Sequence, residues 1–155
     1  MISKNFKKIF LIFVLIIIIQ NPFSLPNNAF AKSEQIKVIN PYIKIIGKNA
    51  KSAAGYMVIE NLSGQKITLL EAISDFGFTM LHTSEEINGV VSMIHLDQVD
   101  IEKGDRVNFM PGGLHIMFVG IDEDLSEVST KDIILKFKNS EISYTKTVSF
   151  ELKVK

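Results

Sequence analysis

The chain after residue 35 consists of short runs in which apolar and polar residues alternate. The run 143–154 shows this best. One face would carry Tyr144, Val148, Phe150, Leu152 and Val154, and the other would carry Ser143, Thr145, Thr147, Ser149 and Glu151. Because successive side chains of a strand point to opposite faces, this alternation predicts a half-buried antiparallel strand. No long stretch shows the 3.6-residue period of an amphipathic helix, so we expect an all-β domain.

Further β-rich runs are separated by Gly, Pro, Asn and Asp, a pattern typical of a sandwich or a barrel. They are 36–46, 53–60, 66–73, 76–82, 90–96, 106–109, 115–121 and 132–138. We expect the first run, which Asn40-Pro41 interrupts, to begin as an edge strand, since proline cannot donate to a sheet ladder. A hairpin is expected around Asn139-Ser140. Residues 123–127 fit either one helical turn or a loop.

The first 31 residues have the order of a secretory signal. Three lysines lie within residues 1–8, eleven apolar residues follow at 9–19, and Ala29-Phe30-Ala31 offers a cleavage site. Eleven residues cover roughly half of a ~30 Å hydrocarbon core, which favours a cleaved signal over a spanning helix. No Arg-Arg pair indicates a twin-arginine signal, and no cysteine could carry a lipid. We therefore expect Sec export to a bacterial periplasm, with 1–31 as signal peptide and 32–155 as the mature domain.

Composition excludes several function classes. Without residues 1–31 the chain has 14 basic and 17 acidic residues, a net charge of −3, and no electrostatic basis for binding nucleic acid. The absence of cysteine excludes disulfides, thiolate nucleophiles, iron–sulfur clusters and blue-copper sites. No nucleophile elbow, HExxH, P-loop or dinucleotide motif is present, so we expect a protein that is not an enzyme.

Histidine and methionine cluster in one part of the chain. All three histidines and four of the six methionines lie in residues 80–117. Pro111-Gly112-Gly113 predicts a turn that leads into a strand on which His115 and Met117 share a face. Phe76, Phe78, Met80 and His82 are expected to share a face of another strand, and Met93 lies early in the next. We expect His82 and Met93 near strand ends, where a surface metal site is easily built. Two imidazoles and two thioethers form a neutral, soft ligand set that favours Cu(I), and thioethers survive in an oxidising compartment.

The spacing of these four residues resembles the motif of a known family. His82, Met93, His115 and Met117 are separated by ten, twenty-one and one residues, which is similar to the H-x10-M-x21-H-x-M signature of the periplasmic CuA copper chaperones, PCu(A)C. The segment 53–57, AAGYM, followed by Ile59 and Asn61, resembles an early strand of that family. The segment 111–117, PGGLHIM, resembles its PGG-H-M segment. The resemblance covers about residues 36–154.

The resemblance implies a cupredoxin-like antiparallel β-sandwich of Greek-key type that binds one Cu(I) through His82, Met93, His115 and Met117. It implies a carrier that delivers copper to a periplasmic acceptor, notably the CuA centre of cytochrome c oxidase subunit II. Separately, we expect a monomer without a membrane span after signal cleavage. Thr83 stands where many members have a methionine. The chain also lacks the His- and Met-rich tail of some members, so we expect a single site.

Two other readings remain open from the residues. The chain could be a β-sandwich interaction module without a metal role, or a copper enzyme or redox carrier, although a Cys-free site with two thioethers should cycle poorly. His95 lies two residues after Met93 and could be a spare or supporting ligand. We expect Met57 and Met80 to pack in the core, since Met fills irregular gaps. Met110 is expected in the core or at its rim, and Glu85 and Glu86 in a solvated loop.

Overall fold

The computed structural model describes residues 35–155, which form ten strands. These are β1 (Ile36–Ile45), β2 (Ser52–Asn61), β3 (Ile67–Ile73), β4 (Phe78–Ile87), β5 (Val90–Leu96), β6 (Val99–Ile101), β7 (Arg106–Phe109), β8 (His115–Val119), β9 (Thr130–Lys138) and β10 (Ser143–Val154). The expected all-β fold is confirmed, since these residues contain no helix. In the described part of the chain, no helix could span a membrane. The predicted signal peptide, residues 1–31, lies outside the described residues.

The strands follow one hydrogen-bonded path, in the order β5-β4-β8-β2-β1-β10-β9-β3-β6, with β7 paired to β2. All of these pairs are antiparallel except β1 with β10, which is parallel. The Thr79 hydroxyl of β4 donates a hydrogen bond to the Ala72 carbonyl of β3, so two strands far apart on the path meet. The sheet therefore folds back over itself around one core.

Aromatic and branched side chains fill that core. Phe118, Phe137 and Phe150 are fully buried, and Phe76 stacks on Phe118 with ring centroids 5.0 Å apart. The alternation predicted for the last strand is confirmed, because Phe150 is buried while its neighbours Ser149 and Glu151 are exposed. Burial of this apolar face is the main driving force for the fold.

The interruption of β1 is a β-bulge. Asn40 adopts a positive φ of 49°, and the register with β2 shifts between Ile39 and Tyr42. Residues 36–39 pair with β2, whereas residues 42–45 pair with β2 on one side and β10 on the other. The strand thus begins at an edge and continues inside the sheet, as the proline predicts.

Several local expectations are wrong. Phe76 does not share a face with Phe78, because it lies in the bend before β4 and is buried, whereas Phe78 begins β4 and is 79% exposed. β4 runs five residues past His82, to Ile87, and the short strand β6 was not expected. Residues 123–127 are not helical, so of the two expectations the loop is correct.

Asn61 ties the end of β2 to two neighbouring segments. Its side chain is fully buried, and its amide nitrogen donates to the carbonyls of Gln65, Ile101 and Glu102 at 2.9–3.0 Å. Its amide oxygen accepts hydrogen bonds from the backbone N–H and the hydroxyl of Ser63. Buried polar groups are expensive unless paired, so this arrangement fixes the β2–β3 turn against β6.

Candidate metal site

A two-residue hairpin turn sets the register of β4 and β5. Asn88 and Gly89 both have positive φ, 55° and 80°. Asn-Gly is the preferred sequence for the type I′ turn, whose twist matches that of the flanking strands. From this turn the ladder pairs Ser84 with Met93 and His82 with His95. The hairpin therefore places Met93 close to His82 in space despite the ten intervening residues.

The predicted Pro-Gly-Gly turn is confirmed and leads directly into β8. Gly112 has a φ of 80°, and the Gly113 N–H donates to the Met110 carbonyl at 3.0 Å, which is the pattern of a type II turn. β8 begins at His115 and pairs with β4, so that His115 lies opposite His82 and Met117 lies opposite Met80. The strand order β5-β4-β8 thus brings all four predicted ligands onto three adjacent strands.

The four predicted ligands share one face of this sheet. Leu81 and Ile116 alternate with them and are buried in the core, so His82, His115 and Met117 point away from it. The rings of His82 and His115 have centroids 5.8 Å apart. Met93 and Met117 line one cleft of about 360 Å³ together with Tyr56. The expectation of strand-end positions is wrong for His82 and Met93, which lie within their strands because the hairpin extends beyond them.

His115 is the buried member of the set, with 5% exposure. Its Nδ1 lies 2.9 Å from the Gly113 carbonyl, which can only accept, so Nδ1 carries the proton. This bond fixes the ring orientation and directs Nε2, not Nδ1, to a metal, as in many His-ligated sites. The turn before β8 thus fixes both the position and the orientation of the His115 ring.

His82 carries a buried nitrogen without a partner. Among the described residues, its Nδ1 is buried and has no hydrogen-bond partner. Burial lowers the pKa of His82 below its ordinary value of 6.5, and the nearby His115 and His95 lower it further. The ring is therefore neutral at pH 7, with a lone pair that a metal could use.

Met93 is the exposed member of the set, with 62% exposure at the cleft rim.

Tyr56 is buried beside the site, and its ring centroid lies 6.5 Å from that of His115. Burial raises the pKa of Tyr56, and the nearby Tyr42 raises it further. The phenol therefore stays protonated and neutral at pH 7. The site combines a buried imidazole, a partly exposed imidazole and an exposed thioether.

The remaining methionines and the two glutamates after His82 lie outside the set of four predicted ligands. Met57 is buried in the core as predicted, whereas Met80 is only partly buried and lies on the ligand face, which is not the expected core position. Met110 is 54% exposed at the turn before β8. Glu85 and Glu86 are exposed but lie in β4 and not in a loop.

His95 lies directly opposite His82, with ring centroids 5.6 Å apart and an edge-to-face arrangement. The sequence motif does not include His95 and leaves its role open. Asn88-Gly89 could have predicted its position, because a two-residue turn at these residues pairs residue 82 with residue 95.

The donor set limits which metals the site can hold. Within residues 35–155, no three His, Asp or Glu side chains converge as metal ligands. A metal bound on this face would therefore need thioethers, such as those of Met93 and Met117, in addition to imidazoles. Thioethers favour Cu(I), whereas Mg²⁺ and Ca²⁺ require oxygen ligands, so the residues present fit copper.

Solved structures with the same fold include copper-binding proteins. The copper-bound PCuAC domain from PmoF2 superposes with a TM-score of 0.61 at 20% identity, over 78% of this chain and 94% of that one. Apo-DR1885 from Deinococcus radiodurans gives a TM-score of 0.60 at 23% identity, over 88% of this chain and 89% of that one. These similarities confirm that the all-β fold is that of PCuAC domains.

Sequence comparison gives the family. No curated protein matches the chain. Residues 36–154 match the LpqE-like lipoprotein family, which spans every strand described above. The chain therefore belongs to the LpqE-like family.

Proposed function

We propose that the protein is a periplasmic carrier of Cu(I). The observation that carries this proposal is the convergence of two imidazoles and two thioethers on one face of β4, β5 and β8, with a His82 Nδ1 that is buried and has no partner among residues 35–155. An orphaned buried nitrogen costs free energy in the free protein, so it is explained best as a group kept ready for a ligand. The copper-bound PCuAC domain of similar fold supports copper as that ligand.

Differences in exposure among the four ligands suit a carrier. His115 is buried and held by the Gly113 carbonyl, so it would keep the ion in place. Met93 is exposed, and its thioether would be the first donor that an incoming acceptor ligand replaces. Copper would remain Cu(I) throughout, because each exchange replaces one neutral donor with another and transfers no electron. Such a site retains the ion in water and releases it on contact with a partner.

Export and the acceptor are further parts of the proposal. The order of charges and apolar residues in 1–31 supports Sec export, and the family description supports an exported protein. The sequence contains no cysteine to carry the lipid of a bacterial lipoprotein, so we propose a soluble periplasmic form. We propose the CuA centre of cytochrome c oxidase subunit II as acceptor, on the strength of the motif resemblance. Oxidase activity in a deletion strain at limiting copper tests it, and full activity would contradict it.

A Cu(I) competition titration at pH 7 tests the carrier itself. We expect one tightly bound Cu(I) in the native protein, and weaker binding by at least about tenfold in His115→Ala and Met93→Ala. Met110→Leu is a matched control, since it removes an exposed thioether outside the cleft and should bind like the native protein. Equal binding by all four proteins, or no stoichiometric binding, would overturn the proposal. The second result would favour an interaction module without a metal.

A further inference from the structure

The three imidazoles of this protein form a row across three strands. His115, His82 and His95 lie in register on β8, β4 and β5, with neighbouring ring centroids 5.8 and 5.6 Å apart. Exposure rises along the row, since His115 is buried, His82 is partly buried and the His95 side chain is 57% exposed. The row therefore leads from the interior of the site to solvent.

Neighbouring rings of the row are correctly spaced to share a metal ion. With a metal–nitrogen bond of about 2 Å, a bound ring centroid lies roughly 3.2 Å from the metal, so two rings on one ion are roughly 4.5–6.4 Å apart. Both observed separations fall in this range. His95 and His115 are two strand spacings apart, about 9.6 Å, which is too far. His82 can thus share an ion with either neighbour, but the two outer rings cannot bind one ion together.

A second thioether, that of Met80, shares a cleft with His95, the outer ring of the row. Met80 and His95 line a common cleft of about 190 Å³, which is separate from the cleft of Met93 and Met117. Met80 precedes His82 by two residues on β4, so both side chains leave the same face. His82, His95 and Met80 therefore repeat, on the outer side, the imidazole and thioether chemistry of the inner set.

We propose that His95, with Met80, forms an outer copper-binding set that shares His82 with the inner set and through which Cu(I) enters and leaves. This inference rests on the proposed function and extends it. The ion moves outward when the His95 lone pair replaces that of His115 while His82 remains bound, and it moves inward by the reverse exchange. No electron is transferred, and copper stays Cu(I). Because His82 belongs to both sets, the protein still binds one ion at a time.

The test separates the rate of copper exchange from the affinity. Stopped-flow mixing of the Cu(I)-loaded protein with the chromogenic chelator bicinchoninate measures release, and the reverse mixing measures loading. We expect His95→Ala to slow both by about tenfold or more, while the equilibrium Cu(I) affinity changes by less than about threefold. Both directions slow together because a ligand used only in passage changes the barrier and not the end states.

Two variants distinguish copper contact from a structural role. His95→Met should restore fast exchange, because a thioether also binds Cu(I), whereas loss of ring packing would not be rescued. Ile94→Ala, on the same strand with its side chain on the opposite face, should exchange like the native protein. Native exchange rates in His95→Ala, or slow exchange in His95→Met, would overturn the outer set while leaving the carrier intact. Failure of the native protein to bind Cu(I) would overturn both.

Discussion

Replacement of His82 by leucine should stabilise the copper-free protein and at the same time weaken its stabilisation by Cu(I). In the copper-free protein the His82 Nδ1 is buried without a partner among the described residues. An unsatisfied buried polar group costs about 1–3 kcal/mol, and the partial exposure of this side chain places the effect at the lower end. We therefore expect His82→Leu to raise the free energy of unfolding of the copper-free protein by about 1 kcal/mol. For a urea m-value of about 1–2 kcal/mol/M, the midpoint should rise by about 0.5–1 M.

Urea unfolding at pH 7.5 in the presence of a Cu(I) chelator measures this difference. His115→Leu is the matched control, because it deletes the hydrogen bond to the Gly113 carbonyl and should lower the free energy of unfolding by about 1 kcal/mol. With free Cu(I) at one hundred times the dissociation constant, the native protein should gain about 2.7 kcal/mol, and His82→Leu much less. If copper-free His82→Leu were less stable than the native protein by 1 kcal/mol or more, the ring would serve the fold and not a ligand.

Three other perturbations have defined outcomes. Because the pKa of His82 is lowered in the fold, the unfolded chain takes up this proton at a higher pH than the folded protein does. The free energy of unfolding of the copper-free protein should therefore be greatest above about pH 6.5 and should fall as the pH drops towards the folded pKa. Urea unfolding from pH 7.5 to 5.5 should show a smaller fall in His82→Leu than in the native protein. Asn61→Ala should lower the free energy of unfolding by about 3 kcal/mol, since it orphans several buried backbone groups; a loss under 1 kcal/mol in thermal or urea unfolding would contradict this. In Gly55→Ala the new Cβ would lie 2.9 Å from the Phe118 ring, so overpacking should lower the free energy of unfolding by about 1–3 kcal/mol. Because Met117 is the neighbour of Phe118 in β8, the same change should weaken Cu(I) binding. Unchanged affinity in the Cu(I) titration would show that β8 tolerates the shift.

Local signals predicted most of the strands because alternation reports which face is buried. The final strand follows this rule as far as Leu152, although Val154 at its end is exposed, and the turns at Pro111 and Asn139 form where their residues favour them. The rule failed at Phe76 and Phe78, which do not share a face, since a bend before β4 leaves Phe76 in the core and Phe78 exposed. It also missed the part of β4 after His82, where the exposed residues 85–87 show no buried face to report.

The sequence by itself determined which donor atoms a metal site in this protein could use. The absence of cysteine together with the spacing of His82, Met93, His115 and Met117 restricts a metal site to a neutral, soft donor set. The placement of β8 beside β4 brings His115 opposite His82, and strand order is a property of the whole sheet that no local pattern encodes. Burial likewise decided which donor is held and which is open, since His115 reaches the Gly113 carbonyl while Met93 remains in solvent. The Asn88-Gly89 turn signals the pairing that places His95 opposite His82, but only the tertiary structure brings Met117 of β8 opposite Met80, because pairing across strands makes neighbours of residues that are distant in sequence.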